Sequence, residues 1–382
     1  MENGLTKEHS KMLYGVAIVL MVFHHLFCIP SQFNLELHFL LGQDVVEKIA
    51  WFCKICVAIY AFISGYAIYQ KCHYKEGEKF QFFKRLGNYY LVALKQLLGF
   101  LKKYWIVFAI FVPLGFILNK LPTFTWEVFL KSLIGIDSTY NVEWWYVKFY
   151  IVIILFSPII CLICDLIKKA FNKKLQIFAL GIIVVLGYFL CNFMSRTFGV
   201  FVEYFRTFLV GYLVASFNIF KYLSVLEKKK AINIPLCLLV LVGIIFIRVK
   251  LATYAFYAAI DPVIIVPFIY ALTYLLSLIK PLKVSFSWLG KYSVYMWLTH
   301  TFYCYYYFQN VAMFSGISIV VFSITITLSF VTALALSYVE QGINALIKII
   351  SNLFKKDKQK EEINTQNTNL EQIEILEEIK ED

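Results

Sequence analysis

The sequence predicts an all-α, polytopic membrane protein with about ten transmembrane helices and both termini cytoplasmic. Three observations carry that reading. Of the 382 residues, 60% are hydrophobic and 18% aromatic, and the mean hydropathy is +0.72. Apolar runs recur from near the N-terminus to about residue 350, each close to the ~20 residues that cross a bilayer core. The cations are sorted: with the N-terminus inside, 27 of the 36 Lys and Arg fall in inner segments and 6 in outer ones, as the positive-inside rule requires. Orientation thus accounts for the net charge of +12. No basic patch interleaved with stacking aromatics stands in a polar context, which argues against nucleic acid.

The ten spans read at 12–30, 49–70, 97–118, 144–167, 175–194, 203–220, 231–247, 259–279, 286–308 and 316–340. The first lacks an A-x-A-like cleavage site and so reads as a retained helix, not a signal peptide. Residues 80–90 (FQFFKRLGNYY) mix aromatics with cations and predict an amphipathic helix on the inner leaflet. Pro113 and Gly115 predict a kink in the third span. The loop 119–143 is the longest outer piece and has room for a short interfacial helix around Trp126. The eighth span opens with Asp261 and Pro262 and contains Pro267. No internal repeat is evident, which counts against transporter folds built from duplicated halves. Beyond Lys355 the composition turns to Lys, Glu, Gln and Asn. The chain therefore divides into a cytoplasmic segment 1–11, a transmembrane domain 12–350 and a charged, disordered cytoplasmic tail 351–382.

Nine cysteines sit mostly inside apolar runs. Cys53/Cys56 and Cys161/Cys164 have C-x-x-C spacing, but their greasy helical setting favours small buried hydrophobes over zinc or redox chemistry. No metal site and no permanently bound cofactor is expected.

Histidines carry the chemical signal. In the first span His25, next to His24, lies fourteen residues beyond Lys11, ~21 Å along a helix. His300 lies twelve residues beyond Trp288 in the ninth, ~18 Å on. Both reach the outer half of the bilayer, and Glu143, Trp144 and Trp145 open the fourth span from the outer side. Imidazole in hydrocarbon is expensive and usually faces a cavity or a partner, and its pKa suits general-base work. Adjacent helical residues diverge by about 100°, so one of His24 and His25 acts and the other packs. Interhelical hydrogen bonds by each are the competing reading. Glu143 can equally be solvated, Trp144 and Trp145 belong to an interfacial belt, and Lys148 serves as the partner of Glu143 or snorkels. Glu203 and Arg206 are spaced to pair with each other. Asp261 fits an outer vestibule or an ordinary loop. Lys84 and Arg85 suit anionic lipid or an anionic, nucleotide-bearing ligand.

These residues resemble the acyltransferase-3 family of integral membrane acyltransferases. Residues 15–27 (GVAIVLMVFHHLF) are similar to its first-helix signature, and 53–66 (CKICVAIYAFISGY) to its second. Residues 82–86 (FFKRL) resemble its basic stretch, 140–146 (YNVEWWY) the start of its fourth helix, and 289–300 (LGKYSVYMWLTH) its Gly…Ser…Trp-Leu-x-His segment. The resemblance covers roughly residues 11–340 in order. It implies a bacterial O-acetyltransferase-like enzyme of the cytoplasmic membrane, moving an acyl group, commonly acetyl, from cytosolic acyl-CoA to a hydroxyl of an envelope polysaccharide or lipid-linked glycan. It implies a catalytic set of His25, with His24 beside it, Glu143 and His300. On the acceptor side it implies Trp144, Trp145 and Asn141, and at the donor Lys84, Arg85, Lys11 and Tyr14, in a monomer or a homodimer. Ser64 and Gly65 permit close helix approach. Tyr14 departs from the pattern, standing where the family usually has a cation eleven residues before the histidine, and Lys11 one turn earlier is its substitute. Asn88 and Tyr89 replace a further Arg and a Pro. A transporter or lipid-linked glycan flippase would use the same polar residues as a path, and a membrane sensor would signal through the tail.

Overall fold

The computed structural model describes residues 4–33, 37–72, 81–198, 204–252 and 257–381, of which 85% of the chain is helical with no strand among the described residues. The chain divides into two units, 1–333 and 334–382.

Helix α1 (Lys7–Phe27) starts at a reciprocal cap. The Thr6 hydroxyl accepts from the His9 N–H at 3.1 Å, and the His9 Nδ1 accepts from the Thr6 N–H at 3.4 Å, satisfying two donors that a helix start leaves orphaned. Helices α2 (Gln43–Cys53) and α3 (Ile55–Cys72) form one span broken at Lys54. Helix α4 (Phe82–Ile117) is continuous over 36 residues. The inner-leaflet helix predicted at 80–90 is therefore not separate: from Phe82 it is the first part of α4, with Gly87 and Asn88 inside the helix. Phe80 lies outside the described residues. Pro113 is accommodated near the C-terminal end of α4.

The short helix expected around Trp126 is α5 (Trp126–Leu133), capped by Thr125 and pinned to α4 by Tyr104 Oη–H to the Ser132 carbonyl (2.5 Å) and Trp105 Nε1–H to the Leu133 carbonyl (2.9 Å). A 3-10 turn (Val142–Trp144) leads into α6 (Trp145–Ala170), and α7 (Lys173–Phe198) follows. The sixth span is not one straight helix: α8 (Phe205–Ser216) and α9 (Ile219–Leu223) are separated by Asn218 in the left-handed conformation (φ 51°), and α8 is bent by 65° from the helical stretch Ile219–Lys228 that α9 begins. Glu203 lies outside the described residues. Helices α10 (Lys230–Leu251), α11 (Asp261–Leu278), α12 (Lys280–Cys304), α13 (Gln309–Met313) and α14 (Ser318–Glu381) complete the chain. The tail read above as unstructured falls within α14, whose Lys, Glu, Gln and Leu residues have high helix propensity.

Seven of the described helical spans are long and apolar enough to cross a bilayer, eight when the bent pair counts as one. Large apolar side chains on their outer faces are exposed at helical spacing, as at Leu91, Leu94 and Leu98 of α4 and Phe156, Ile159 and Ile163 of α6. Those stripes suit lipid contact.

Two glycine seams set the register of the bundle. A Cβ on Gly15 of α1 would lie 1.9 Å from the Phe286 carbonyl oxygen of α12, and one on Gly290 of α12 would lie 1.7 Å from the Lys11 carbonyl oxygen of α1. The two backbones touch there, as small residues at membrane helix crossings permit. Gly65 of α3 and Gly211 of α8 meet the carbonyls of Phe208 and Phe62 in the same reciprocal manner. Close helix packing is thus what Gly65 does. The preceding Ser64 returns its hydroxyl to the Tyr60 carbonyl at 2.8 Å.

Candidate active site

The α1–α12 seam decides where the histidines stand. His25 lies ten residues beyond Gly15, and His300 lies ten residues beyond Gly290. Equal rises of ~15 Å from a shared contact bring both imidazoles to one level, with ring centroids 5.0 Å apart. The 3-10 turn at the head of α6 adds Glu143, whose Oε2 is 3.6 Å from His25 Nε2. That is ion-pair range but longer than a hydrogen bond.

Each member is fixed by neighbours. The His300 Nδ1–H donates to the Trp297 carbonyl at 2.8 Å, which leaves its Nε2 as the acceptor nitrogen. That Nε2 is buried without a hydrogen-bond partner. Glu143 is aimed by Asn141, whose Oδ1 accepts from the Glu143 N–H at 3.1 Å while its amide donates to Thr301 Oγ1 at 2.7 Å. Val142 N–H donates to Tyr306 Oη at 3.0 Å. Trp144 is fully packed among Tyr104, Phe108 and Phe302, with its indole N–H on the Leu298 carbonyl at 3.0 Å. Trp145 is half-buried beside Tyr146 and Tyr204. Of the three acceptor-side residues, Asn141 and Trp144 thus have their polar atoms committed to holding α6 against α12.

His24 meets the His25 ring edge-on at 5.2 Å, but its own polar contact lies on another helix. Its Nδ1–H donates to the Ala50 carbonyl at 2.8 Å, and its ring meets Trp51 edge-on at 5.8 Å. It bridges α1 to α2. His25 instead faces Glu143 and His300, and it keeps 13% of its side chain exposed although protein surrounds it. Lys54, at the break between α2 and α3, lies within electrostatic reach of both His25 and Glu143.

Toward the other end, Tyr14, Tyr60, Tyr146 and Tyr150 are half-buried. Tyr14 stacks on Tyr60 at 5.2 Å, and Tyr146 meets Trp297, one turn before His300, at 5.6 Å. Tyr150 Oη accepts from Gln96 Nε2 at 3.0 Å, and Gln96 Oε1 accepts from Lys71 Nζ at 2.7 Å. A polar and aromatic file therefore runs from Lys71 to the imidazoles.

The basic residues separate into two kinds. Lys11 and Lys84 are exposed. Arg85 is buried, with Nη1 3.2 Å from Asp165 Oδ2, and Tyr89 donates to the same carboxylate. Asp261, expected at a vestibule or in a loop, is fully buried and paired with the equally buried Arg248. Of the residues that place the site, Thr301, Asp165 and the matched Gly15–Gly290 register were not picked out from sequence.

In a bundle with helices long and apolar enough to cross a membrane, two imidazoles and a carboxylate thus come to one level, groups able to serve as acid and base. The family model for the acyltransferase domain of the acyltransferase-3 family matches residues 13–339. The chain belongs to that family and is a membrane acyltransferase. No curated protein and no solved structure matches it.

Proposed function

We propose that this protein is an O-acyltransferase of a bacterial cytoplasmic membrane, crossing it ten times with both termini in the cytosol. It moves an acyl group, acetyl in the simplest case, from acyl-CoA on the cytosolic side to a hydroxyl of an envelope glycan on the other. The observation that carries the reading is the group His25 Nε2, Glu143 and His300 Nε2 at one level, two of the three being imidazoles and one of those nitrogens unpartnered.

The coenzyme phosphates rest at the cytosolic face on Lys84 and Lys11. Arg85 is already balanced by Asp165, so it contributes less than an open guanidinium would. The pantetheine arm follows the file of Tyr14, Tyr60, Tyr150 and Tyr146 toward the imidazoles. His25 Nε2 takes the proton of the acceptor hydroxyl, the oxygen attacks the thioester carbon, and a C–O bond forms as the C–S bond breaks. The proton passes from His25 to the departing thiolate. His300 Nε2 accepts from a second donor on the acceptor, and Trp145 with Glu143 borders it.

The test compares envelope polysaccharide from cells carrying the parent protein or His25→Ala at equal membrane abundance. Alkali-labile acyl esters should be present with the parent and lost with the variant. Esters retained in the variant would refute the assignment. Binding of CoA by the purified protein separates an acyltransferase from a flippase, which has no reason to bind it.

A further inference from the structure

His25 has two ring nitrogens, and only one of them can act as the base. The choice is made outside α1, by a residue just past the end of α12. The His25 carbonyl belongs to the last turn of α1, where carbonyls lack an intrahelical donor. Tyr305 Oη–H donates to that carbonyl, and the Gln32 amide approaches it at 3.4 Å. The same Tyr305 oxygen stands 3.2 Å from His25 Nδ1. A phenol has one proton, and a carbonyl can only accept. With that proton directed to the carbonyl, the Tyr305 oxygen can only accept from Nδ1, so Nδ1 must carry the hydrogen. Nε2 is then bare and is the nitrogen 3.6 Å from Glu143.

Tyr305 is itself held in place. Its backbone N–H donates to the Thr301 carbonyl at 2.8 Å as the C-cap of α12, and its ring stacks on Phe33 at 5.9 Å. The same α12 turn carries Thr301, which holds Asn141 and through it Glu143. One helix end thus sets both the tautomer of His25 and the place of the carboxylate. Glu143 lies on the Nε2 side of the ring.

We propose that Tyr305 is the positioning residue of His25, accepting the Nδ1 hydrogen so that Nε2 is left bare toward Glu143 and the acceptor hydroxyl. The proposal rests on the acyl-transfer reading only for its kinetic consequence. The experiment uses full-length protein labelled with 15N-histidine and reconstituted in bilayers, with a His25→Gln sample to identify the His25 signals among the six histidines. The parent should show a protonated Nδ1 and an unprotonated Nε2. Tyr305→Phe, which keeps the ring on Phe33, should lose that single tautomer. Its kcat should fall by about 10- to 100-fold with KM for acyl-CoA unchanged, the signature of a misaligned group rather than a lost binding contact. A parent His25 protonated at Nε2 would overturn the proposal without any variant, and so would a Tyr305→Phe protein that keeps the Nδ1–H form and parental kcat. Failure of the parent to transfer acyl groups, with the tautomer as stated, would instead overturn the acyl-transfer reading and leave the positioning role standing.

Discussion

Two of the polar clusters inside this bundle are built to opposite ends. In one, Arg85 meets Asp165, and Tyr89 closes on the same carboxylate. Charge is cancelled at contact distance, as burial demands. In the other, His25 and Glu143 stay 3.6 Å apart, and His300 keeps a buried nitrogen without a partner. The first cluster joins α4 to α6 with its opposite charges in contact. The second leaves His300 Nε2 without a partner, open to a donor on the acyl acceptor in the proposed reaction. Depth alone therefore does not mark a site.

That contrast breaks down if the two clusters respond alike to mutation. His25→Ala should lower acyl transfer by about 10³-fold, within the range of a lost general base, while the Tm in detergent stays at the parental value. Asp165→Ala should do the reverse. It strands the Arg85 charge and should cost about 3–5 kcal/mol in unfolding free energy, with kcat of the folded fraction unchanged. His300→Gln should lower kcat by about 10- to 100-fold with little change in Tm. Gly290→Ala forces α12 off the Lys11 carbonyl, costing about 1–3 kcal/mol as overpacking does. It should lower kcat as well, because the seam sets the level of both histidines. The smallest effect belongs to Lys84→Ala, which should raise KM for acyl-CoA by about threefold, as loss of an exposed ionic contact does. A KM effect from Asp165→Ala larger than that from Lys84→Ala would reverse the roles given to the two cations.

The two histidine levels were legible before any coordinates, because a helix rises by a fixed amount per residue and both spans run the same way. The all-helical membrane class was legible for the same reason, in runs of bilayer length. Partners far apart in sequence were not. Arg85 and Asp165 are eighty positions apart, and nothing local to either points to the other. Tyr305 is one of 26 tyrosines, distinguished only by where α12 ends. Gly15 and Gly290 each stand ten residues before a histidine, a symmetry present in the sequence whose meaning appears only once the two glycines touch. The bend between α8 and α9 rests on Asn218 at positive φ, a conformation Asn tolerates but does not announce. Residues 82–117 run as one helix because no breaker separates the amphipathic part from the apolar part.

The account stands on His25 as the proton acceptor at an interior site, with His24 packed elsewhere. Purified protein in sealed vesicles, supplied with radiolabelled acetyl-CoA on one face and a soluble glycan acceptor on the other, tests this most directly through a paired comparison. Acetyl ester should form on the glycan with the parent and with His24→Ala, at a reduced rate if α2 loosens, and should not form with His25→Ala. Ester formation by His25→Ala at the parental rate, or its loss in His24→Ala alone, would contradict the account.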